Sequence, residues 1–294
     1  MGLLSRRAAL AGCLFAVPAF ATARAQQQGL GPDAIRDRLA KLEQKSGGRL
    51  GVHILNLANG SRAGHREHER FLLCSTFKAL AAAFVLARVD RGEEHLDRRI
   101  VFSKQDLVVW SPVTEARIGA SGMTIAEFCE AAVTLSDNTA GNFLLQSFGG
   151  PAALTAYLRS LGDEVTRLDR IEPALNEHDQ LGDLRDTTSA AAMVDTLQKL
   201  LFGDALSRSS RAQLAAWLIA NKTGDRRLRA GFPTGWLVGD KTGTNGSGSA
   251  NDIGVAWPPS GGAAIVAAYC RQPERSAQHH DAVLAEVGRI AAQL

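Results

Sequence analysis

Cysteine is scarce, with four in 294 residues, at Cys13, Cys74, Cys129 and Cys270. The last three are an odd set without metal-site spacing, so at most one intramolecular disulfide is possible, none is demanded, and the fold must stand on its core. Long apolar runs are missing too. Beyond the first 25 residues no window reaches about 18 uninterrupted apolar residues, which argues against a transmembrane helix. Charge of one sign is absent: 33 Lys and Arg stand against 30 Asp and Glu, and the surplus is carried by Arg6, Arg7 and Arg24 of the opening segment. The remainder is formally neutral, so no nucleic-acid footprint is expected. His65 and His68, and the pair His279-His280, lack a second ligand cluster, so neither a metal nor another cofactor is expected. Internal repeats and low-complexity linkers are also lacking, and nothing asks for more than a monomer.

What is present begins with an export signal over residues 1–25. It has a basic start at Arg6 and Arg7, an apolar middle from Ala8 to Phe20, and small residues at Ala23 and Ala25 before Gln26-Gln27-Gln28. The paired arginines suit the twin-arginine route as well as the general secretory one. A lipoprotein box, Leu10-Ala11-Gly12-Cys13, competes, but the apolar segment before it is very short. Cleavage after Ala25 would release a periplasmic or secreted protein with no stable membrane association.

Along the rest of the chain, Ile35, Leu39 and Leu42 recur at helical spacing within 32–45, and Arg49 to Leu57 alternates as a strand that Asn59-Gly60 turns back. From Thr76 to Ala220 the periodicity is helical: 76–89, 124–133, 139–148, 151–161, 189–201 and 209–220. After Gly231 short apolar runs (236–238, 253–257, 263–269) separated by turn residues read as strands, and a last helix covers 276–290. Strands at both ends with helices between predict an α+β fold. A five-stranded antiparallel sheet built from 26–66 and 221–294 would flank an inserted all-helical domain, 67–220, with the active site at their interface. The polar, irregular segment Asp163 to Thr188 is long enough for a functional loop.

Four short motifs carry chemistry. Ser75-Thr76-Phe77-Lys78 sets a hydroxyl and an amine on one helix face, and a desolvated lysine can activate a serine. Alone, it reads more readily as a helix cap with a solvated lysine. Ser136-Asp137-Asn138 stands in a turn where a cap is expected. Within the long loop, Glu172 and Asn176 could hold a water between them. Lys241-Thr242-Gly243 follows a strand, Trp236 to Asp240, where lysine and threonine can point to substrate and the glycine admits it to the backbone. Lys222-Thr223-Gly224 has the same letters but follows a helix, and reads as a helix stop with Gly224 at the C-terminal turn.

All four motifs, in the order Ser75, Ser136, Glu172, Lys241, give a chain that resembles class A serine β-lactamases over essentially its whole length after the leader. The resemblance implies a β-lactamase/transpeptidase-like fold and hydrolysis of penicillins and cephalosporins through a serine acyl-enzyme. It makes Ser75 the nucleophile, with the N–H groups of Ser75 and Thr244 as oxyanion hole, and Ser136 the proton donor to the leaving nitrogen. Glu172 with Asn176 would position the deacylating water; whether Lys78, or Glu172 through a water, is the acylation base stays open. Asn138 would bind the substrate's side-chain amide, and Lys241, Thr242, Gly243 and Thr244 its carboxylate side, assisted by Arg227. Trp110 would wall the mouth, against the alternative of a buried tryptophan. Arg170 and Asp186 match the ion pair that closes the loop. Two departures stand out. Asn245 occupies the position where the carbapenem-hydrolysing branch has a cysteine bridged to the one matched by Cys74, so Cys74 should be a buried free thiol and carbapenem hydrolysis is put in doubt. The stretch from Asn176 to Asp186 is one residue longer than usual. A penicillin-binding D,D-peptidase or a non-hydrolysing sensor is the alternative, and Glu172 with Asn176 discriminates against it.

Overall fold

The computed structural model describes residues 29–119, 121–177 and 182–294. The leader lies outside the described residues, as does part of the stretch from Asn176 to Asp186 read as one residue longer than usual. The helices are α1 (Pro32–Ser46), α2 (Phe77–Asp90), α3 (Ile125–Thr134), α4 (Asn138–Ser147), α5 (Pro151–Ser160), α6 (Ala190–Phe202), α7 (Arg208–Ile219), the short α8 (Leu228–Gly231) and α9 (Ala277–Ala291). The strands are β1 (Arg49–Asn56), β2 (Arg62–His65), β3 (Arg70–Leu72), β4 (Arg99–Ile100), β5 (Met123–Thr124), β6 (Thr187–Ser189), β7 (Leu237–Thr244), β8 (Ser249–Trp257) and β9 (Ala264–Arg271). Five of them form one antiparallel sheet in the order β2-β1-β9-β8-β7, joining both ends of the chain in an α+β architecture. No helix of the described residues is long and apolar enough to cross a membrane.

The sheet is covered on both faces. Period-two alternation along β9 sends Val266, Ala268 and Cys270 toward α1 and α9, where they meet Ile35, Leu39, Leu284 and Val287. Ile265, Ala267 and Tyr269 face the other way and pack with α2, α6 and α7. Helix α2 is buried almost throughout, from Phe77 to Ala87, as expected of a helix that is apolar all round. It is the central rod on which α3, α4, α5 and α7 pack.

Three readings of the sequence change. β7 runs on to Thr244, so Lys241-Thr242-Gly243 lies within a strand paired to β8 (Lys241 opposite Ile253, Thr242 opposite Asp252) rather than after one. Backbone pairing, not apolar patterning, extends it. α7 ends at Ile219 with Ala220 as its C-cap, so Gly224 is not its stop. Gly224 is a close-packing glycine: an added Cβ would lie 2.0 Å from Asp240 Oδ2. The long loop is anchored at its end by β6, which pairs with β3, and it contains a single turn of 3₁₀ helix, Ala174–Asn176.

Candidate active site

Ser75 sits in a 3₁₀ turn, Cys74–Thr76, that feeds directly into α2. One helical turn later Lys78 is fully buried and donates to Ser75 Oγ at 2.9 Å, to Ser136 O at 2.8 Å and to Asn138 Oδ1 at 2.5 Å. Gly141 of α4 makes room for this side chain, since a Cβ there would meet Lys78 Cε at 2.9 Å. Burial pulls the Lys78 pKa below that of an ordinary lysine, against the opposing pull of the Glu172 carboxylate, whose Oε1 is 3.1 Å from Nζ.

The Ser136-Asp137-Asn138 turn is a cap and part of the site at once. Asp137 is buried and accepts from Ala140 N at 2.8 Å as N-cap of α4, and from Val113 N and Thr114 N at 2.9 Å each. Ser136, held in the left-handed region at φ 59°, and Asn138 flank that anchored residue. From the sheet side, Lys241 is buried and donates to Ser136 Oγ at 3.1 Å. Desolvation, then the charge of Lys78, hold the Lys241 pKa well below the lysine range.

Glu172 closes the constellation from the long loop. Ser75 Oγ donates to Glu172 Oε1 at 3.2 Å, and Asn176 Nδ2 donates to Oε2 at 2.6 Å. The loop's neck carries the ion pair Arg170–Asp186, 2.6 Å. Asn245 Nδ2 donates to Asn176 O at 2.9 Å, tying the turn after β7 to this loop. Cys74, Cys129 and Cys270 are free and buried, and burial pushes the Cys74 thiol up to about 12.

These groups open on a cavity of about 390 Å³ lined by Ser75, Ser136, Asn138 and Thr242 to Thr244, among others. Gly243 lets β7 approach the nucleophile, because a Cβ there would be 2.9 Å from Leu73 O and 3.2 Å from Ser75 N. Arg227 is the arginine that reaches this cavity. It donates to Thr244 Oγ1 at 2.7 Å and to Gly243 O at 3.0 Å, and is anchored by Asp281 of α9 at 2.9 Å. Arg226 is exposed, and Arg229 turns to Asp240. Trp110 is 64% exposed at the cavity's mouth, not buried, and its indole donates to Leu135 O at 3.3 Å.

Two site residues escape sequence reasoning. Thr223 lines the cavity, with its hydroxyl 2.6 Å from that of Thr242. Its signal was the second Lys-Thr-Gly, which had been assigned to a helix stop. Asn142 binds both the N–H and the C=O of Glu172, at 2.9 and 3.0 Å. Nothing in its local pattern marks it.

A serine hydroxyl, a buried amine, a second hydroxyl and a carboxylate held within hydrogen-bond reach, on this fold, fit a serine hydrolase. A model of the β-lactamase enzyme family matches residues 34–294. The chain is 47% identical to β-lactamase OXY-1 of Klebsiella oxytoca over 261 residues, 89% of each protein. It is 46% identical to the carbapenem-hydrolysing β-lactamase KPC of Klebsiella oxytoca over 258 residues, 87% of each. An ancestral class A β-lactamase (GNCA) of solved structure is 62% identical, covers 87% of this chain and 98% of its own, and superposes with a TM-score of 0.85. This chain belongs to the class A β-lactamases. The comparisons give no support to the peptidase or sensor alternative.

Proposed function

We propose that Ser75 opens the β-lactam ring as nucleophile and that Glu172 discharges the resulting ester. In the first step the lactam carbonyl carbon gains a bond to Ser75 Oγ and loses its bond to the ring nitrogen. The serine proton passes to Lys78, or through a water to Glu172; Ser136 gives its own proton to the departing nitrogen and takes back, by way of Lys78, the one removed from Ser75, which leaves Glu172 free to accept a proton in the second step. In the second, a water held by Glu172 and Asn176 gives its proton to Glu172 and adds to the ester carbonyl. The C–O bond to Ser75 then breaks, the serine regains a proton, and the ring-opened acid leaves. The N–H groups of Ser75 and Thr244 stabilise the oxyanion of both steps, a role supported by the close approach of β7 at Gly243. The carrying observation is the placement of one carboxylate, Glu172, 3.2 Å from Ser75 Oγ and 2.6 Å from Asn176 Nδ2.

Lys241, Thr242, Thr244 and Arg227 receive the substrate carboxylate, Asn138 its side-chain amide, and Trp110 walls the entrance. The substrates are penicillins and cephalosporins. Carbapenems are turned over poorly, because Cys74 has no partner cysteine and Asn245 instead bonds the loop backbone. The chain acts as a monomer, needs no metal or cofactor, and is exported through residues 1–25 to the periplasm or medium. Residues 26–66 with 221–294 and residues 67–220 form the two units that meet at the site.

The test mixes the purified protein and its Glu172→Ala variant with a chromogenic cephalosporin, following absorbance and intact mass. Turnover by the wild type with a Ser75 adduct accumulating on the variant supports the reading. A wild type that stops after one stoichiometric burst overturns it in favour of a peptidase or sensor.

A further inference from the structure

On the far side of the sheet's outer layer, the two terminal helices leave a groove between them. Its volume is about 510 Å³, and it shares no residue with the substrate cavity. Arg38, Lys41 and Lys45 line it from α1 and Arg289 from α9, against a single acid, Glu286. The spacing of the three α1 residues keeps them on one helix face. Glu286 is already taken, since Arg289 Nε donates to it at 2.7 Å. His279 is held by Ser46 O at 3.2 Å. Lys41 and Lys45 have no hydrogen-bond or ion-pair partner among the described residues. Beneath these cations lies Leu42, partly exposed, with Val283 and Ile290 only 4% and 2% exposed, so most of the apolar lining comes from the aliphatic stems of the lysines and arginines.

We propose that the groove between α1 and α9 binds one single-chain amphiphile with an anionic head, of the long-chain carboxylate class. An inorganic anion would leave the apolar floor uncovered, and a neutral alkyl chain would leave two ammonium groups unanswered. Only a molecule with both parts matches the lining. The volume falls within the range of sites that enclose a single small molecule, about 300–1,000 Å³. The recess therefore suits one chain rather than the flat face of a bilayer. Arg38 and Arg289 offer planar donors to a carboxylate, and Lys41 and Lys45 add mobile point charges.

Dodecanoate below its micellar concentration, titrated calorimetrically into the purified protein, tests this directly. One equivalent is expected to bind. Dodecanol, dodecyltrimethylammonium and the double variant Lys41→Glu, Lys45→Glu should each bind about tenfold more weakly or worse, as losing or reversing two head-group contacts predicts. Because neither lysine belongs to the catalytic machinery, the double variant should retain full cephalosporin turnover, which shows that it is folded. Equal affinity for dodecanol, or an unchanged affinity in the double variant, overturns the proposal. So does adsorption to phosphatidylglycerol vesicles without one-to-one uptake of dodecanoate, which would make the patch a membrane contact.

Discussion

Asn142 grips the backbone of Glu172 with both ends of its amide, accepting from Glu172 N at 2.9 Å and donating to Glu172 O at 3.0 Å. Helix α4 thereby fixes the loop residue to which we assign the second half of the reaction.

Asn142→Leu should therefore uncouple the loop without touching Ser75. Two partly buried hydrogen bonds are lost, each leaving a backbone group unpaired, for a destabilisation of about 2–4 kcal/mol. Thermal unfolding should register this. Stopped-flow kinetics with a cephalosporin should show near-normal acylation followed by slow release, with the acyl-enzyme accumulating. Acylation and release slowed equally would mean that the clamp serves the whole site and not Glu172 in particular.

Arg227 is held by a carboxylate outside the cavity, Asp281, and its remaining donors face Thr244, Gly243 and the Asn251 carbonyl. Arg227→Lys should raise KM and lower kcat/KM about tenfold or more, because one ammonium cannot serve three directions at once. Asp281→Asn should give a smaller change of the same kind, since it loosens the arginine without removing it. Steady-state kinetics on substrates with and without the ring carboxylate separates the two effects: the penalty should vanish for the ester.

Lys241 is a buried cation whose pKa is depressed chiefly by desolvation. Between that lowered value and the ordinary lysine value of 10.5 the unfolded chain binds a proton that the native one does not, so the wild type gains stability as pH rises through this window. Lys241→Met should accordingly be more stable than wild type at neutral pH and catalytically crippled, with its advantage shrinking as pH approaches 10.5. Denaturant melts at a series of pH values check the slope. A constant difference would mean that the folded lysine keeps its proton across the whole pH range sampled, as the unfolded chain does.

Gly243→Ala places a methyl group 2.9 Å from Leu73 O and 3.0 Å from Cys74 Cβ. Either β7 or the nucleophile's turn must yield, and overpacking of this sort costs about 1–3 kcal/mol. Cephalosporin acylation should slow far more than thermal stability falls, because Ser75 N lies 3.2 Å from the same methyl.

Much of this was legible in the sequence, and the parts that were not have physical reasons. The motifs at Ser75, Ser136, Glu172 and Lys241 converge as their order and context suggested, and the alternation along β1 with the short apolar run over 263–269 pointed to the sheet. The C-terminal half of β7 was invisible because Thr242, Gly243 and Thr244 are held there by hydrogen bonds to β8, with no apolar side chains to mark them. β6, three hydroxyl residues paired to β3, fails to announce itself for the same reason. Thr223 was misassigned because a three-letter motif says nothing about what lies across from it. Asn142 and Asp281 act through contacts 30 and 54 residues distant, which no local pattern encodes. Trp110 could be assigned to the mouth or the core equally well until its exposure was known.

The inner position of β1 in the sheet, between β2 and β9, also governs how the chain comes to life. The first hairpin is made early in synthesis, but its inner edge finds its partner only when residues 264 to 271 have emerged, after the whole helical segment. Such long-range closure is slow to nucleate. Ser75 and Lys241 both emerge before β9, so a nascent chain, or one truncated before that strand, holds these residues without the closed sheet that brings them together. It would also present Leu50, Val52 and Ile54 along an unpaired strand edge, a surface prone to capture by other chains.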